Sequence, residues 1–285
     1  FGAAAAAGYL LRLSETQFAH ALATAATFAA GLQQAFRMDS MSKPLHPARA
    51  AEGGLLAAQL ASRGITGSLD VLDGDAGLGV AMSTGADWTQ VGATLGRDFH
   101  ITRTTFKNHV GCGHSFPSID GALELQRLHG FRADEIDSVR IGTYKPALDI
   151  ACYARPATVN EAQFSIPFVV ATALVHGSVR MAAYEPDRLH APETRALMER
   201  IQVAVDPVLD AGFPGRRSAR VEIVLRDGRR LTHLQADRKG DPELPLTDAD
   251  LEGKLVEFAA PVIGADAARA LAARLWTLDM SETLP

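Results

Sequence analysis

The sequence has 285 residues, of which 47% are hydrophobic, 21% are charged and 6% are aromatic. This length and composition predict a packed globular protein with one large or two ordinary domains, and they exclude a disordered chain and a small disulfide-bonded scaffold. The formal net charge is −5, from 28 Lys and Arg against 33 Asp and Glu. We therefore expect neither nucleic acid nor an anionic membrane as a partner.

The two cysteines, Cys112 and Cys152, cannot form a disulfide framework, and there is no CxxC or HExxH pattern for a metal. We predict a reducing, cytoplasmic location, with Cys152 a small buried apolar residue. The longest apolar stretches, 1–11 and 18–32, are interrupted by polar residues before the ~20 residues that a spanning helix needs, so no membrane span is expected. The chain opens on Phe1 without a signal pattern, and we expect its true N-terminus to lie further upstream.

The first part of the chain has helical signals. Ser14 and Gln17 form the pattern of a capping box, which opens a predicted helix over residues 15–30. A second helix is predicted over residues 47–62, with Gly64 just past its end. Ala, Leu and Gly occupy several faces of both helices. This pattern predicts a bundle in which each helix packs against others on more than one side.

Residues 67–101 are rich in Gly, Asp, Ser and Thr, and include the run Gly74-Asp75-Ala76-Gly77-Leu78-Gly79. That run fits a phosphate-binding loop only weakly, because no strand clearly precedes it and no Gly-Lys-Ser/Thr follows. An ordinary loop is the favoured interpretation.

From Pro117 onward the signals become mixed, with helical periodicity, alternating strands and a hairpin turn at Asp227-Gly228. The predicted elements are helix 117–129, strand 137–144, helix 161–177, strand 201–205, hairpin 219–234, and helical segments over 246–275 with Thr247 as the first N-cap and a restart after 264–266.

These elements predict a mainly α fold with an α+β second domain. We expect an all-helical bundle domain built from both chain ends, residues 1–101 and 244–285. The inserted α+β lid domain is predicted over residues 102–243.

The sequence contains only five lysines, so their positions are informative. Lys43 lies in Ser42-Lys43-Pro44-Leu45-His46-Pro47, where two prolines hold an extended backbone that leads into a helix. A cation placed there would face an anion, and we predict that Lys43 and His46 bind substrate. An ordinary surface lysine in a loop between helices is the alternative.

The stretch Lys107 to His114 concentrates a lysine, two imidazoles and a thiol in a glycine-rich loop just before a helix N-terminus. Such a place favours anions. We predict that His109 and His114 are catalytic, since imidazole titrates near neutrality, and that Lys107 binds substrate. The alternatives are a zinc site with His109, Cys112 and His114 as ligands and no evident fourth, or Cys112 as a nucleophile.

Tyr153 and Arg155 precede Pro156 in an irregular stretch. A phenol and a guanidinium can both bind a carboxylate, so both residues are predicted to bind substrate. For Arg155, an ordinary surface ion pair is the alternative.

Four segments in this order resemble the MmgE/PrpD family, which includes 2-methylcitrate dehydratase, cis-aconitate decarboxylase and iminodisuccinate epimerase. The segments are Ser42 to Pro47, Lys107 to His114 with Pro117-Ser118-Ile119-Asp120, Ala162 to Phe168, and Arg238-Lys239-Gly240-Asp241-Pro242-Glu243. The resemblance covers essentially the whole chain.

The resemblance implies a helical domain from both chain ends, an α+β lid, a homodimer and a site in the cleft between the domains. It also implies proton abstraction next to a carboxylate of a small di- or tricarboxylate, without a metal or other cofactor. We expect a hydro-lyase similar to 2-methylcitrate dehydratase. An epimerase, a decarboxylase, or a non-catalytic carboxylate-binding member or fragment are the alternatives.

By the same resemblance, Lys43 and Lys107 match lysines of the family's site, and Tyr153 lies near a site tyrosine. Two departures affect the transfer. Many members have a histidine where this chain has Phe116, and the family segments that supply the Asp and His acid/base groups precede the position of Phe1. A chain that began at Phe1 would be expected to be inactive.

Overall fold

A computed structural model of the chain describes residues 1–36, 40–89, 91–151 and 153–280. It divides into two compact units, Phe1–Phe99 and His100–Pro285. Cys152, predicted to be buried, lies outside the described residues. Across the described ranges, no helix combines the length and apolarity that crossing a membrane requires.

The first unit is helical. Its helices are α1 (Gly2–Leu10), α2 (Glu15–Thr27), α3 (Leu45–Ser62) and α4 (Leu78–Met82). The predicted capping box is confirmed, because the Gln17 backbone N–H donates to the Ser14 hydroxyl at 3.3 Å and the Ser14 N–H donates to the Gln17 side chain at 3.1 Å. Helix α3 begins two residues earlier than predicted, since Pro44 occupies the N-cap and Pro47 is tolerated in the first turn.

Small residues form the helix contacts of this unit. Helix α3 packs against α1 and α2, and its buried positions are all Ala or Gly. At Gly54 an added Cβ would lie 2.7 Å from both the Ala3 Cβ and the Ala4 backbone nitrogen. The α1 and α3 backbones therefore approach more closely than any side chain at this position would allow. The glycine-rich run 74–79 forms turns and the start of α4.

The second unit contains a mixed four-stranded sheet in the order β2-β1-β3-β4. Strand β1 is parallel to β2 and antiparallel to β3, and β3 and β4 form the predicted hairpin, with Gly228 at φ 91° in its turn. The predicted strands are thereby confirmed. The strands are β1 (Ile136–Thr143), β2 (Ile201–Val205), β3 (Ala219–Leu225) and β4 (Arg230–Gln235).

Helix α5 packs against β3, β4 and α8. Large apolar side chains of these two helices, such as Phe116, Phe168 and Leu125, are fully buried. The helices of the second unit are α5 (Phe116–His129), α6 (Lys145–Ile150), α7 (Val159–Gln163), α8 (Ile166–His176), α9 (Pro186–Leu189), α10 (Pro192–Met198), α11 (Pro207–Ala211), α12 (Asp248–Ile263) and α13 (Ala265–Trp276).

The predicted single helix over residues 161–177 is wrong, because the chain forms α7 and α8 with a break between them. The Ser165 hydroxyl accepts from the Phe168 N–H at 3.2 Å and caps α8. Pro167 in the first turn lacks the N–H that a continuous helix would use. A second helix, α8, therefore begins inside the apolar run.

Helices α12 and α13 form the C-terminal part of the second unit. The predicted N-cap Thr247 is confirmed: its hydroxyl accepts from the Asp250 N–H at 3.1 Å. The mainly helical fold with an α+β part is observed. The assignment of residues 244–285 to the helical domain, and the predicted boundaries, stay predictions.

Candidate active site

The loop that carries both predicted catalytic histidines, residues 105–115, is held from several sides. We call it the histidine loop. The backbone N–H of Val110 donates to Val179 O at 3.0 Å, and that of Cys112 donates to Gln163 O at 2.8 Å. The Tyr184 hydroxyl donates to Val110 O at 2.5 Å. These bonds connect the middle of the loop to the end of α7 and to the segment between α8 and α9.

Gly111 lets the loop run close to these partners. Its φ is +141°, and an added Cβ would lie 3.2 Å from both Gln163 O and the Tyr184 hydroxyl. A side chain here would be strained in conformation and would also displace the groups that hold the loop.

His109 forms a buried pair with Asp120 of helix α5. The Nε2 of His109 donates to Asp120 Oδ1 at 2.8 Å, and the two side chains are 4% and 8% exposed. The other carboxylate oxygen accepts from the backbone N–H of Lys239 at 2.9 Å. A carboxylate held by two donors fixes the orientation of the imidazole, an arrangement that suits a general acid or base acting through Nδ1.

His114 pairs with a phenol. Its Nδ1 lies 2.8 Å from the hydroxyl oxygen of Tyr144, which is fully buried and stacked on Phe213. Burial raises the pKa of Tyr144 well above its ordinary value, even though Arg217 and Arg238 act in the opposite direction. Tyr144 therefore stays protonated over the pH range in which histidines titrate. It can donate to a neutral imidazole and accept from a protonated one, so it orients His114 in both charge states.

Lys107 lies at the exposed start of the histidine loop. Its Nζ donates to Gly111 O at 3.1 Å and lies 6.0 Å from the centroid of the Phe116 ring. The Nζ of Lys254, whose pKa is lowered mainly by burial, donates to the backbone carbonyl of Lys107 at 2.7 Å. Phe116, noted above as a departure from the family pattern, is buried, and its ring makes a T-shaped contact with that of His109 at a centroid distance of 5.3 Å.

A cavity of about 690 Å³ opens within the second unit beside His109. Its wall exposes polar and apolar surface in about equal amounts and carries charged side chains of both signs. The wall includes His109, Asp120, Glu124, Arg127, Arg180, His233, Gln235, Lys239, Glu243 and Asp250.

The remaining predicted substrate-binding residues belong to other segments of the chain. Lys43 and His46 are half-buried in the first unit, at the turn into α3, where the His46 N–H donates to Lys43 O at 3.2 Å. Tyr153 is half-buried and donates its N–H to Phe164 O at 3.2 Å. The substrate contacts of these residues stay predictions.

Arg155 has a different environment. Its side chain is 83% exposed and lies 3.6 Å from Glu199 Oε1. This is the surface ion pair that was the alternative interpretation of Arg155.

Sequence reasoning assigned no role to Asp120, Tyr144, Arg238 or Asp241. Asp120 and the 238–241 stretch were seen only as parts of family segments. The one local signal for the last pair is opposite charge at a spacing of three. Nothing local relates Tyr144 to His114, which lies 30 positions away.

The zinc alternative requires His109, Cys112 and His114 to converge. In the described part of the chain, no group of three or more His, Cys, Asp or Glu side chains is placed to hold a metal ion. The imidazoles of His109 and His114 instead contact Asp120 and Tyr144.

Two family profiles match the chain. The profile of the MmgE/PrpD N-terminal domain matches residues 1–91, and that of the MmgE/PrpD C-terminal domain matches residues 109–279. These two matches cover most of the sequence.

Three curated proteins are similar over nearly all of this chain. The "Cis-aconitate decarboxylase-like protein oryM" of Aspergillus oryzae is 28% identical over 281 residues, 93% of this chain and 57% of the relative. The "Cis-aconitate decarboxylase" of Mus musculus is 25% identical over 277 residues, 95% of this chain and 56% of the relative. That of Homo sapiens is 27% identical over 276 residues, with the same two shares, 95% and 56%. The chain thus spans just over half the length of these relatives.

Proposed function

The chain belongs to the MmgE/PrpD family, and from that premise we propose that it acts as a lyase that removes CO2 from a small tricarboxylate of the cis-aconitate type. The names of the similar proteins support decarboxylation. The sequence-based preference for dehydration of 2-methylcitrate has no such support. It is kept as an alternative outcome of the experiment below.

Decarboxylation breaks a carbon–carbon bond, releases CO2 and leaves an electron pair on the substrate. In an unsaturated tricarboxylate that pair moves through the adjacent double bond and is quenched by a proton on carbon. The protein must therefore hold the remaining carboxylates with cations and supply one proton. Lys107 is the cation of the histidine loop, and His114 is the proposed proton donor.

The observation that carries this proposal is the 2.8 Å contact between His114 Nδ1 and the buried Tyr144 hydroxyl. A protonated imidazole that donates through Nδ1 to a neutral phenol still has a proton on Nε2 to give. After transfer, Nδ1 keeps its proton and still donates to the phenol oxygen, so the ring keeps its orientation. His109, oriented by Asp120, is the second proposed acid/base group.

On the family resemblance we also propose that Lys43, His46, Tyr153 and Arg155 contact substrate. A homodimer and a cytoplasmic location are part of the same proposal. Sedimentation equilibrium of the purified chain tests the dimer.

The test is an NMR assay in D2O with 13C-carboxyl-labelled cis-aconitate, and with 2-methylcitrate and iminodisuccinate in separate tubes. We expect loss of cis-aconitate, appearance of labelled bicarbonate and one deuterium on the product carbon. Water loss from 2-methylcitrate without CO2 release would replace decarboxylation by dehydration. Deuterium exchange into iminodisuccinate alone would indicate an epimerase, and no change in any acid would overturn the proposed activity.

His114→Gln is expected to lower kcat/KM by about 100-fold, the size typical of losing a general acid. The matched control is His129→Gln, since His129 is exposed at the last turn of α5. An unchanged kcat/KM in His114→Gln would remove His114 from the chemistry.

Lys43→Met is expected to lower kcat/KM at least tenfold, roughly 1.4 kcal/mol of transition-state stabilisation. Lys145→Met is the control, because Lys145 is exposed and pairs with Asp149 at 2.8 Å. Equal kcat/KM in the two variants would exclude Lys43 from the site.

A further inference from the structure

The family segment Arg238-Lys239-Gly240-Asp241, which we call the RKGD segment, lies directly against the histidine loop. The Phe106 N–H donates to Gly240 O at 2.8 Å, and the Lys239 N–H donates to the carboxylate of Asp120 at 2.9 Å. One end of the loop and the partner of His109 are thus both bound by this segment.

Two of its charged side chains, those of Arg238 and Asp241, bind the loop at two further points. Arg238, 7% exposed, donates through Nη1 to Gly113 O at 3.3 Å, next to His114. Asp241 accepts from the Thr105 hydroxyl at 2.8 Å. Arg238 and Asp241 also join each other by two parallel hydrogen bonds of 2.8 and 2.6 Å, the rigid bidentate geometry.

The backbone of the segment is equally specific. Gly240 has φ +102°, and an added Cβ would lie 1.9 Å from Phe106 O. Only glycine allows the segment to approach the loop this closely.

We propose that Arg238 and Asp241 are positioning residues for the reaction proposed above: their ion pair binds the histidine loop at Thr105 and Gly113 and thereby sets the place of Lys107 and His114. This inference rests on the proposed function. Its physical basis is that a displacement of about 1 Å in a catalytic group can cost on the order of 100-fold in rate. A buried bidentate pair that spans both ends of the loop resists such a displacement.

The electrostatic setting agrees with this role. Burial alone raises the pKa of the Asp241 carboxyl, yet hydrogen bonds from Arg238 and Thr105 hold it below its ordinary value. The pair is therefore ionised at neutral pH. The Arg238 charge also acts on Tyr144, the partner of His114.

The test compares Arg238→Lys with Arg200→Lys in the full chain. Arg200 is a matched control because it is also part-buried and donates to backbone carbonyls, those of Ile136 and Ala196, outside the histidine loop. We expect Arg238→Lys to lower kcat/KM by about 10- to 100-fold and Arg200→Lys to change it less than about threefold.

A double-mutant cycle separates positioning from a general loss of stability. If Arg238 acts through His114, Arg238→Lys in a His114→Gln background lowers kcat/KM by less than about threefold further. An equal loss in both backgrounds would mean that Arg238 does not act through His114, and would overturn the proposal as stated.

NMR titration of His114 gives a readout that needs no turnover. We expect its pKa to shift in Arg238→Lys and to stay unchanged in Arg200→Lys. If the wild-type chain converts no acid but this shift is seen, the proposed function fails while the positioning contact stands. An unshifted His114 together with unchanged kcat/KM would overturn the positioning role.

A milder variant covers the case in which Arg238→Lys does not fold. Thr105→Val removes only the hydroxyl that donates to Asp241, and Thr104→Val is its exposed neighbour. We expect kcat/KM to fall about threefold or more in Thr105→Val alone. Identical kinetics in the two variants would contradict a role for Asp241 in placing the loop.

Discussion

The two units bury different kinds of side chain. In the first unit the buried positions of α1, α2 and α3 are alanines and glycines, while Tyr9, Leu10 and Leu32 are exposed. In the second unit the large side chains of Tyr144 and Phe168, with others of similar size, are fully buried. Because hydrophobic stabilisation grows with the apolar area removed from water, the second unit gains much more from its core. The histidine loop is part of that better-packed unit.

The largest expected effect comes from the core of the second unit. Phe168→Ala should cost about 3–5 kcal/mol, since it removes a fully buried ring. Leu13→Ala in the first unit should cost only about 1–2 kcal/mol, because Leu13 is half-buried against the Ala21, Ala58 and Ala61 cluster. Urea unfolding followed by Trp276 fluorescence for the second unit and Trp88 fluorescence for the first measures both. Equal losses of unfolding free energy in the two variants would contradict the conclusion that the second unit has the more stabilising core.

Two neighbouring glycines of α3, Gly53 and Gly54, test whether close backbone packing stabilises the first unit. Gly54→Ala should destabilise it by about 1–3 kcal/mol, because the new Cβ meets the Ala4 backbone at 2.7 Å. Gly53→Ala should stabilise it by about 0.5–1 kcal/mol, since its Cβ would meet only the Phe28 side chain at an ordinary 3.6 Å. Trp88 fluorescence in urea reports both. A destabilising Gly53→Ala would show that close backbone packing is not what distinguishes the two positions.

Alkaline pH should act selectively on the second unit. Burial raises the pKa of both Tyr144 and Tyr184, so each stays protonated in the folded state above pH 10 while the unfolded chain ionises. The unfolded state then binds fewer protons, and stability falls as pH rises, by ~1.4 kcal/mol per pH unit for each tyrosine. Tyr144→Phe should remove one such contribution from the pH dependence of urea unfolding. Tyr9→Phe, at an exposed position, should leave the slope unchanged.

The smallest effects should be equal in the two units. Ser14→Ala in α2 and Thr247→Ala in α12 each remove the side-chain acceptor of a complete capping box. Each should cost about 1 kcal/mol by urea unfolding. Unequal costs would mean that the units differ in local helix energetics as well as in burial.

These caps also show how much of the fold could be predicted. Ser14, Thr247 and the turn at Asp227-Gly228 are signals that lie within a few residues, and each correctly placed an element. The break at Ser165 was missed because its cap sits inside a long apolar run, where periodicity favours one helix. Local sequence signals therefore predicted where helices and strands end better than they predicted whether a long helix is continuous.

The candidate site was predicted as a loop but not as a set of contacts. Clustering of imidazoles in sequence identified His109 and His114. Their partners Asp120 and Tyr144 come from a helix and from the residue after a strand, so only the tertiary fold pairs them. The choice of substrate within the family was equally out of reach, because related acids use the same residue types and differ in the geometry that binds them.

The bonds made by Arg238 and Asp241 have a consequence for the order of events during synthesis. They join residues 125 and 136 positions apart in the chain. Such distant partners come together late in folding, after local elements have formed. A chain that ends before residue 238 already carries Lys107 and both histidines, but it lacks the side-chain bonds to Thr105 and Gly113. We therefore expect the two ends of the histidine loop to become fixed only after residue 241 has been synthesised.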